Sequence, residues 1–293
     1  MSLFDQGPTM SLEEFRLLRE LVNETCGIRF ESDAMYAMER RLRERLAALG
    51  LTSFRAYYQR LRYHPEAQAE LENAVDVLTT NETYFFREAY QLEVLEKSIL
   101  PELKERNARS KRLTVWSAGC STGEEVYTIA MILLGFGGFH GWDLRVFGSD
   151  ISRRVIQHAR RGVYGESSFR AMQPRYARYF SDVPGGKRIA NEVRSICHFG
   201  QLNLLDHERS ALIGSADVIF CRNVLIYFDD RSRERVVRTF HDRLLPGGYL
   251  LLGHSESLLH RATQFEIVHM DRDIVYRRPA TRTVFDSDPE EDE

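Results

Sequence analysis

The chain has 293 residues, 43% of them hydrophobic and 11% aromatic, which suffices for one large or two ordinary packed domains. Its net charge of −3 gives no overall attraction to nucleic acid, so we expect no nucleic-acid partner. Neither a membrane-spanning apolar run nor a signal peptide is visible, and the four cysteines lack the spacing of zinc ligands, so we expect a soluble cytoplasmic protein without a metal site or membrane insertion.

The first part of the chain, from about Ser11 to Glu82, is predicted to be all-helical. Ser11 and Glu14 have the spacing of a capping box at the start of a first helix. Apolar stripes and helix breakers predict three more helices, with Gly50 ending the second, His64-Pro65 ending the third and Leu78 near the end of the fourth. We therefore predict a helical N-terminal domain over residues 1–85.

The remainder of the chain alternates between strands and helices. Strands are predicted near 113–117, 144–149, 216–221 and 248–252, and helices near 89–106, 124–135, 152–161 and 231–244. This alternation is typical of a parallel sheet with helices on both faces, an α/β fold. The predicted catalytic domain spans 86–280, with a small β insertion over about 165–200, and the acidic segment 281–293 is predicted to be disordered.

A predicted strand, a glycine turn and a helix start meet around Gly119 and Gly123, and Asp150 follows at the end of the next strand. A turn plus a strand-end acid is typical of a nucleotide-like cofactor site, because the acid can accept hydrogen bonds from ribose hydroxyls. The turn lacks G-x-G-x-x-G, and the two acids Glu124 and Glu125 favour a cationic ligand such as S-adenosylmethionine (SAM) over a pyrophosphate. The alternative is a turn that only packs a helix, with Asp150 as a helix cap.

Four segments resemble the signature segments of the CheR-type chemotaxis receptor methyltransferases: Asn81–Arg87 (NETYFFR), Val115–Glu125 (VWSAGCSTGEE), Phe220–Asp229 (FCRNVLIYFD) and Leu245–Glu256 (LPGGYLLLGHSE). They occur in that order, and the resemblance extends to about Arg277. It implies a class I (Rossmann-like) SAM-dependent methyltransferase domain with a small antiparallel insertion. It further implies transfer of a methyl group from SAM to glutamate side chains of chemoreceptor cytoplasmic helices, with S-adenosylhomocysteine as the second product.

The resemblance also implies roles for individual residues. Arg87 and Tyr227 would face the transferred methyl group, and Arg87 would also contact the cofactor. The other implied cofactor contacts are Asn81, Thr83, Glu125, Asp150, Asn203, Leu204, Arg222 and Asn223, to which the glycine turn adds Gly119. We expect Glu124 to point to a different face from Glu125 and not to be a ligand. We expect His254 to be structural, because an ionised acceptor glutamate needs no general base.

Residues 35–62 carry seven arginines against two acids. Alone, this pattern indicates a solvated helix face; the family resemblance favours docking on an acidic receptor helix, with Arg41 and Arg45 as the contacts. The turn at Ser181–Arg188 is short, so we predict an enzyme that acts without tethering a receptor tail. A monomer is the default expectation. The alternatives are a methyltransferase for another signalling protein or a nucleic acid, and a SAM-binding regulatory module without catalysis.

Overall fold

A computed structural model describes residues 7–258, 264–270 and 273–280. The segment 281–293, for which disorder is predicted, lies outside the described residues. The α-helices are α1 (Leu12–Cys26), α2 (Met35–Ala48), α3 (Phe54–Tyr63), α4 (Ala67–Leu78), α5 (Ala89–Val94), α6 (Leu100–Arg106), α7 (Glu124–Gly135), α8 (Arg153–Arg161), α9 (Asn191–Arg194), α10 (His207–Ser210) and α11 (Asp230–Arg243). A π-helical turn at Leu95–Ile99 joins α5 to α6 into one continuous helical segment, as predicted for 89–106.

In the part of the chain that the structure describes, ten strands form two sheets. They are β1 (Arg112–Ala118), β2 (Asp143–Asp150), β3 (Val163–Tyr164), β4 (Phe180–Val183), β5 (Gly186–Ile189), β6 (Cys197–Gln201), β7 (Ala216–Cys221), β8 (Leu244–Leu252), β9 (Glu266–His269) and β10 (Ile274–Arg277). The main sheet has the order β6-β2-β1-β7-β8-β10-β9, parallel from β6 to β8 and antiparallel at β10 and β9. The α/β class is confirmed, and the four predicted strands are present.

Helix α1 begins with the predicted capping box. The Ser11 hydroxyl accepts the N–H of Glu14, and the Glu14 carboxylate accepts the N–H of Ser11 at 2.8 Å, so two otherwise unpaired donors are satisfied. Helices α1 to α4 bury their own apolar cluster, centred on Phe15, Leu18 and Leu42. The all-helical N-terminal region is thus confirmed as a unit with its own core.

The main sheet separates two further apolar clusters. Leu113 and Val115 of β1 point into one cluster, and Trp116 and Ala118 into the other, as expected for side chains that alternate along a strand. Because both faces are covered, every residue of β1 after Arg112 is buried. The strand ends are therefore held rigidly where they emerge from the core.

The small second sheet has the order β3-β5-β4 and is antiparallel, which confirms the predicted β insertion. Its extent differs from the prediction at the C-terminal side. Strand β6 lies within the predicted span of 165–200, yet it pairs in parallel with β2 at the edge of the main sheet. Its short sequence, Cys-His-Phe-Gly-Gln, alternates weakly, so sequence pattern alone did not reveal its partner.

The helical module, formed by α1 to α4 and the residues that follow to Phe85, makes polar and apolar contacts with the α/β domain; Ile151 packs against the apolar cluster of the helices. Asn23 donates to the Asp229 carboxylate at 2.6 Å, and the backbone of Ile28 forms an antiparallel bridge with Phe228. These contacts join the end of α1 to the residues that precede α11. Among the described residues, no helix combines the length and apolar character needed to cross a membrane.

Candidate active site

A cavity of about 430 Å³ lies at the carboxyl ends of β1, β2 and β7, where the helical module closes over the sheet. This is the place at which open α/β sheets bind ligands, and the volume falls in the range of small-molecule sites, about 300–1,000 Å³. Nearly all residues predicted for the site line it: Arg41, Asn81, Thr83, Arg87, Gly119, Glu125, Asp150, Asn203, Leu204, Arg222, Asn223 and Tyr227. Their roles remain predictions.

The turn after β1 brings main chain to the cavity wall. Gly119 and Gly123 have φ of +77° and +93°, and Ser121 between them has φ of +49°. Gly119 also faces Val224 so closely that a Cβ would overlap the valine side chain. Glycine is needed here both for the left-handed backbone and for the close approach of two loops.

Asp150, at the end of β2, holds the turn in place. Its Oδ2 accepts the N–H of Ser121 at 2.8 Å and its Oδ1 accepts the N–H of Ser152 at 3.0 Å. Burial raises the pKa of this carboxyl above its usual value, and the two N–H groups act in the opposite direction. Each oxygen keeps a lone pair, so the carboxylate can still accept ligand hydroxyls.

Glu125 and Arg222 form a largely buried ion pair in the cavity lining. Arg222 Nε donates to Glu125 Oε2 at 2.7 Å, and the Ser117 hydroxyl donates to Oε1 at 2.7 Å. Arg222 Nη1 also donates to the carbonyl of Arg87 at 2.8 Å. One guanidinium therefore connects a predicted cofactor acid to the main chain of a predicted catalytic residue.

Glu124 points away from the cavity, as expected. Its carboxylate accepts the hydroxyls of Thr122 at 2.6 Å and Ser168 at 2.9 Å, and it is almost fully buried. Ser168 belongs to the insertion, so Glu124 attaches the insertion to the start of α7. His254, expected to be structural, stacks edge-on with Tyr90.

Arg87 and Tyr227 occupy the outer part of the cavity. Arg87 Nη1 donates to the carbonyl of Glu82 at 2.8 Å, and its Nε and Nη2 make no hydrogen bond within the described residues. Its neighbours Phe86 and Glu88 have φ of +60° and +53°, so an unusual backbone holds the arginine where it stands. Tyr227 is 38% exposed and makes no side-chain hydrogen bond to the described residues.

The side-chain amides of Asn203 and Asn223 differ in the hydrogen-bonding atoms that they leave without a partner. Asn203 Nδ2 donates to the Thr25 carbonyl at 2.7 Å, and its Oδ1 accepts the N–H of Leu205 at 3.1 Å. Asn223 has φ of +58°, and its buried Oδ1 has no hydrogen-bond partner among the described residues. The Oδ1 atom of Asn223 therefore has the capacity to accept a hydrogen bond from a ligand group in the cavity.

The two arginines predicted for docking lie in different surroundings. Arg41 lines the cavity and donates to the Leu78 carbonyl at 2.6 Å. Arg45 lies outside the cavity lining and forms a two-point ion pair with Glu70, at 3.0 Å and 2.8 Å. Glu70 also accepts the Tyr57 hydroxyl at 2.8 Å, so Arg45 takes part in holding α2, α3 and α4 together.

Two contributors to this site were missed at the sequence level. Glu256 accepts four backbone N–H groups, three of which belong to the loop after β7. The segment from Ile28 to Asp33 lines the outer cavity. Glu256 ends a recognised signature segment, a signal that could have drawn attention to it, whereas nothing in the sequence of 28–33 indicates its position.

SAM fits this cavity. It carries ribose hydroxyls and two cationic centres, and the cavity offers the carboxylates of Asp150 and Glu125 together with the unpaired Asn223 Oδ1. The main-chain turn at Gly119 gives the close backbone approach that a nucleoside requires. The size of the cavity and the hydrogen-bond acceptors in its lining agree with this cofactor.

The sequence is similar to known proteins over most of its length. The family described as "CheR methyltransferase, SAM binding domain" matches residues 81–274, and "CheR methyltransferase, all-alpha domain" matches residues 13–79. Chemotaxis protein methyltransferase 2 of Vibrio cholerae is 35% identical over 91% of this chain and 93% of its own length. Chemotaxis protein methyltransferase 1 of Pseudomonas aeruginosa is 35% identical over 90% and 97%. A solved O-methyltransferase family protein from Burkholderia thailandensis covers 75% of this chain and 62% of its own, with a TM-score of 0.37 and 15% identity.

Proposed function

This chain belongs to the CheR family of SAM-dependent chemotaxis protein methyltransferases, and from that premise we propose that its acceptors are glutamate side chains of chemoreceptors. The products are glutamyl methyl esters and S-adenosylhomocysteine. The enzyme acts in the cytoplasm, as a monomer, on the cytoplasmic helices of the receptors. Two other candidates remain as outcomes of the test below: another signalling protein as acceptor, and a regulatory module that binds SAM without transfer.

The observation that carries the proposal is the partly unpaired guanidinium of Arg87 in a cavity that Tyr227 also lines. A glutamate side chain has an ordinary pKa of about 4.3, so at neutral pH it is already the nucleophile and needs no base. What it needs is alignment, which can contribute about 7–11 kcal/mol in well-ordered cases. Arginine has a planar fork of donors suited to a carboxylate.

When bound, SAM supplies a methyl group on a sulfonium centre. Arg87 orients the incoming carboxylate through Nε or Nη2, and one carboxylate oxygen stays free to attack. Tyr227 forms the wall on the opposite side of the acceptor and keeps bulk water away. Arg222 helps to hold Arg87 in place, because its Nη1 donates a hydrogen bond to the carbonyl of Arg87 at 2.8 Å.

Docking of the receptor helix on the helical module is part of the proposal. Arg41 combines a position at the cavity with an anchor to the Leu78 carbonyl, which supports a direct contact with an acidic helix. Arg45 Nε and Nη2 both donate to the Glu70 carboxylate. A docking role for Arg45 would have to coexist with that ion pair. Charge reversal of Arg41 should raise the receptor KM, and added salt should reduce the difference from the wild type.

The β4–β5 hairpin supports action without a receptor tether. Val183 pairs with Gly186, so only Pro184 and Gly185 form the turn, and no long loop extends from it. Strand β4 is an edge of the small sheet, so the short turn, and not the lack of a strand edge, is what supports this part of the proposal. Tight binding of a receptor C-terminal peptide to the enzyme would contradict this part of the proposal.

The test is transfer of radiolabelled methyl from SAM to a purified receptor cytoplasmic fragment, followed by mild base. Label on the fragment that base releases as methanol is the expected result, because carboxyl methyl esters hydrolyse in base. Label that resists base would point to another kind of acceptor atom. Binding of SAM without transfer to any receptor fragment would favour the regulatory module.

A further inference from the structure

The carboxylate of Glu256 is a buried acceptor for four main-chain donors. Its Oε2 accepts the N–H of Asn223 at 2.7 Å and of Gly253 at 2.8 Å. Its Oε1 accepts the N–H of Val224 at 2.8 Å and of Ile226 at 3.2 Å. Each oxygen therefore binds two donors, and only 8% of the residue is exposed.

Three of these donors belong to the loop between β7 and α11, and that loop carries site residues. Asn223 stands in the left-handed region with φ of +58°, a conformation that a non-glycine residue holds only when its surroundings require it. The side chain of the next residue, Val224, packs against Gly119 in the turn after β1. Tyr227 follows directly, and its main-chain carbonyl accepts the N–H of Arg29 at 2.8 Å.

The chemistry of the site calls for a carboxylate in particular. An amide side chain has one oxygen, so glutamine would present an NH₂ group to two of the four N–H donors. Hydrogen bonds to an ionised acceptor are about twice as strong as neutral ones. Burial raises the pKa of the Glu256 carboxyl, whereas the four N–H groups favour its ionised form. The four donors thus offset the cost of burying this carboxylate against the loop that lines the cavity.

We propose that Glu256 is a positioning residue of the active site: its carboxylate holds the loop from Arg222 to Tyr227 in the conformation that presents Asn223 to the cofactor and Tyr227 to the acceptor. The part that concerns Tyr227 rests on the proposed function. The part that concerns Asn223 rests only on cofactor binding. A wrong acceptor would therefore refute the role assigned to Tyr227 without refuting the role assigned to Asn223.

Asp217 provides a matched control. It is also a buried carboxylate, and it accepts the N–H of Thr114 at 2.9 Å and the side chains of Arg106 at 2.6 Å and Asn107 at 2.8 Å. It lies near the start of β7, at the end of the sheet away from the cavity. Asp217→Asn and Glu256→Gln therefore both replace a buried carboxylate by an amide, and only the second should affect the loop.

The first measurement is titration of S-adenosylhomocysteine by calorimetry, with thermal unfolding measured on the same samples. Glu256→Gln should raise the Kd about tenfold, which corresponds to about 1.4 kcal/mol. Asp217→Asn should lower the Tm while leaving the Kd within about twofold of the wild type. An unchanged Kd in a folded Glu256→Gln protein would overturn the proposal.

The second measurement is hydrogen exchange of the ligand-free protein. Peptides that contain Asn223, Val224 and Ile226 should exchange faster in Glu256→Gln than in Asp217→Asn. If Glu256→Gln does not fold, Glu256→Asp keeps the charge on a shorter stem and should show a smaller rise in Kd with the same local exchange. Faster exchange spread evenly over the sheet would indicate a structural role only and would contradict the proposal. Neither measurement involves the methyl acceptor, so a wrong acceptor would leave both results intact.

Discussion

Replacing Gly119 with alanine separates the two reasons for a glycine at the cavity. One reason is conformational, since φ is +77° and an L-residue in the left-handed region costs about 1–2 kcal/mol. The other is the close approach of two loops, since a Cβ at this position would overlap Val224 Cγ2 and lie 3.1 Å from Cγ1. Gly141 supplies the control: its φ is +74°, and a Cβ there would meet nothing within 4 Å.

The magnitudes follow from this comparison. Gly141→Ala should lower the free energy of unfolding by about 1–2 kcal/mol, the backbone penalty alone. Gly119→Ala carries the same backbone penalty and, because of the overlap with Val224, a further overpacking cost of about 1–3 kcal/mol. Only Gly119→Ala forces Val224 to move, and Asn223 moves with it. Loss of one hydrogen bond from Asn223 to the cofactor is worth about 0.5–1.5 kcal/mol, so the Kd for S-adenosylhomocysteine should rise up to about tenfold.

Calorimetric titration of S-adenosylhomocysteine and urea unfolding of both variants check these values. The expected pattern is a loss of stability in both proteins, larger in Gly119→Ala, and a loss of affinity in Gly119→Ala alone. If Gly119→Ala bound as tightly as Gly141→Ala, the valine would have room to move without disturbing the cofactor. The argument that this glycine shapes the binding site would then be wrong.

Three further predictions concern buried charges. Arg222→Ala should lower the free energy of unfolding by about 3–5 kcal/mol by leaving Glu125 unpaired, and the added change Glu125→Ala should recover part of that loss in a urea-unfolding cycle. Arg45→Met should destabilise the helical module through the unpaired Glu70, measured as a lower Tm with an unchanged Kd for S-adenosylhomocysteine. Burial raises the pKa of Asp150 above its value in the unfolded chain, so between the two pKa values the folded protein binds a proton that the unfolded chain has released. As the pH falls from the folded to the unfolded pKa, the stability of the wild type relative to Asp150→Asn should therefore rise, measured by thermal unfolding. Over the same range its affinity for S-adenosylhomocysteine should fall, measured by calorimetry.

Much of the fold could be predicted because its signals are local. The capping box at Ser11, the helix stop near Gly50 and the turn at Gly119 each depend on residues that are adjacent in the sequence. Pairing between distant strands has no such local signal. Strands β9 and β10 are four residues each and return antiparallel at the edge of the sheet, so their pattern did not stand out.

The candidate site divides in the same way. Asp150 and Arg222 could be predicted because parallel strands bring their carboxyl ends to one edge. The contacts that hold these residues could not be predicted, because they join side chains to distant main chain. Glu256 binds the N–H of Asn223, and Asn203 binds the carbonyl of Thr25, across 33 and 178 residues of sequence. A main-chain donor carries no residue-specific signal, since nearly every residue has one.

The helical module contributes to the catalytic cavity as well as to the proposed docking surface. The N–H of Arg29 donates to the carbonyl of Tyr227 at 2.8 Å, and the carbonyl of Thr25 accepts Asn203 Nδ2 at 2.7 Å. Two predicted site residues are thus held from outside the catalytic domain. On our proposal, a receptor helix that docks on α2 binds to the same helical module that holds Tyr227 in place. The acceptor glutamate is therefore positioned relative to Tyr227 by one rigid group of helices. Placement of this kind is the main contribution a protein can make to an in-line displacement by an already ionised nucleophile.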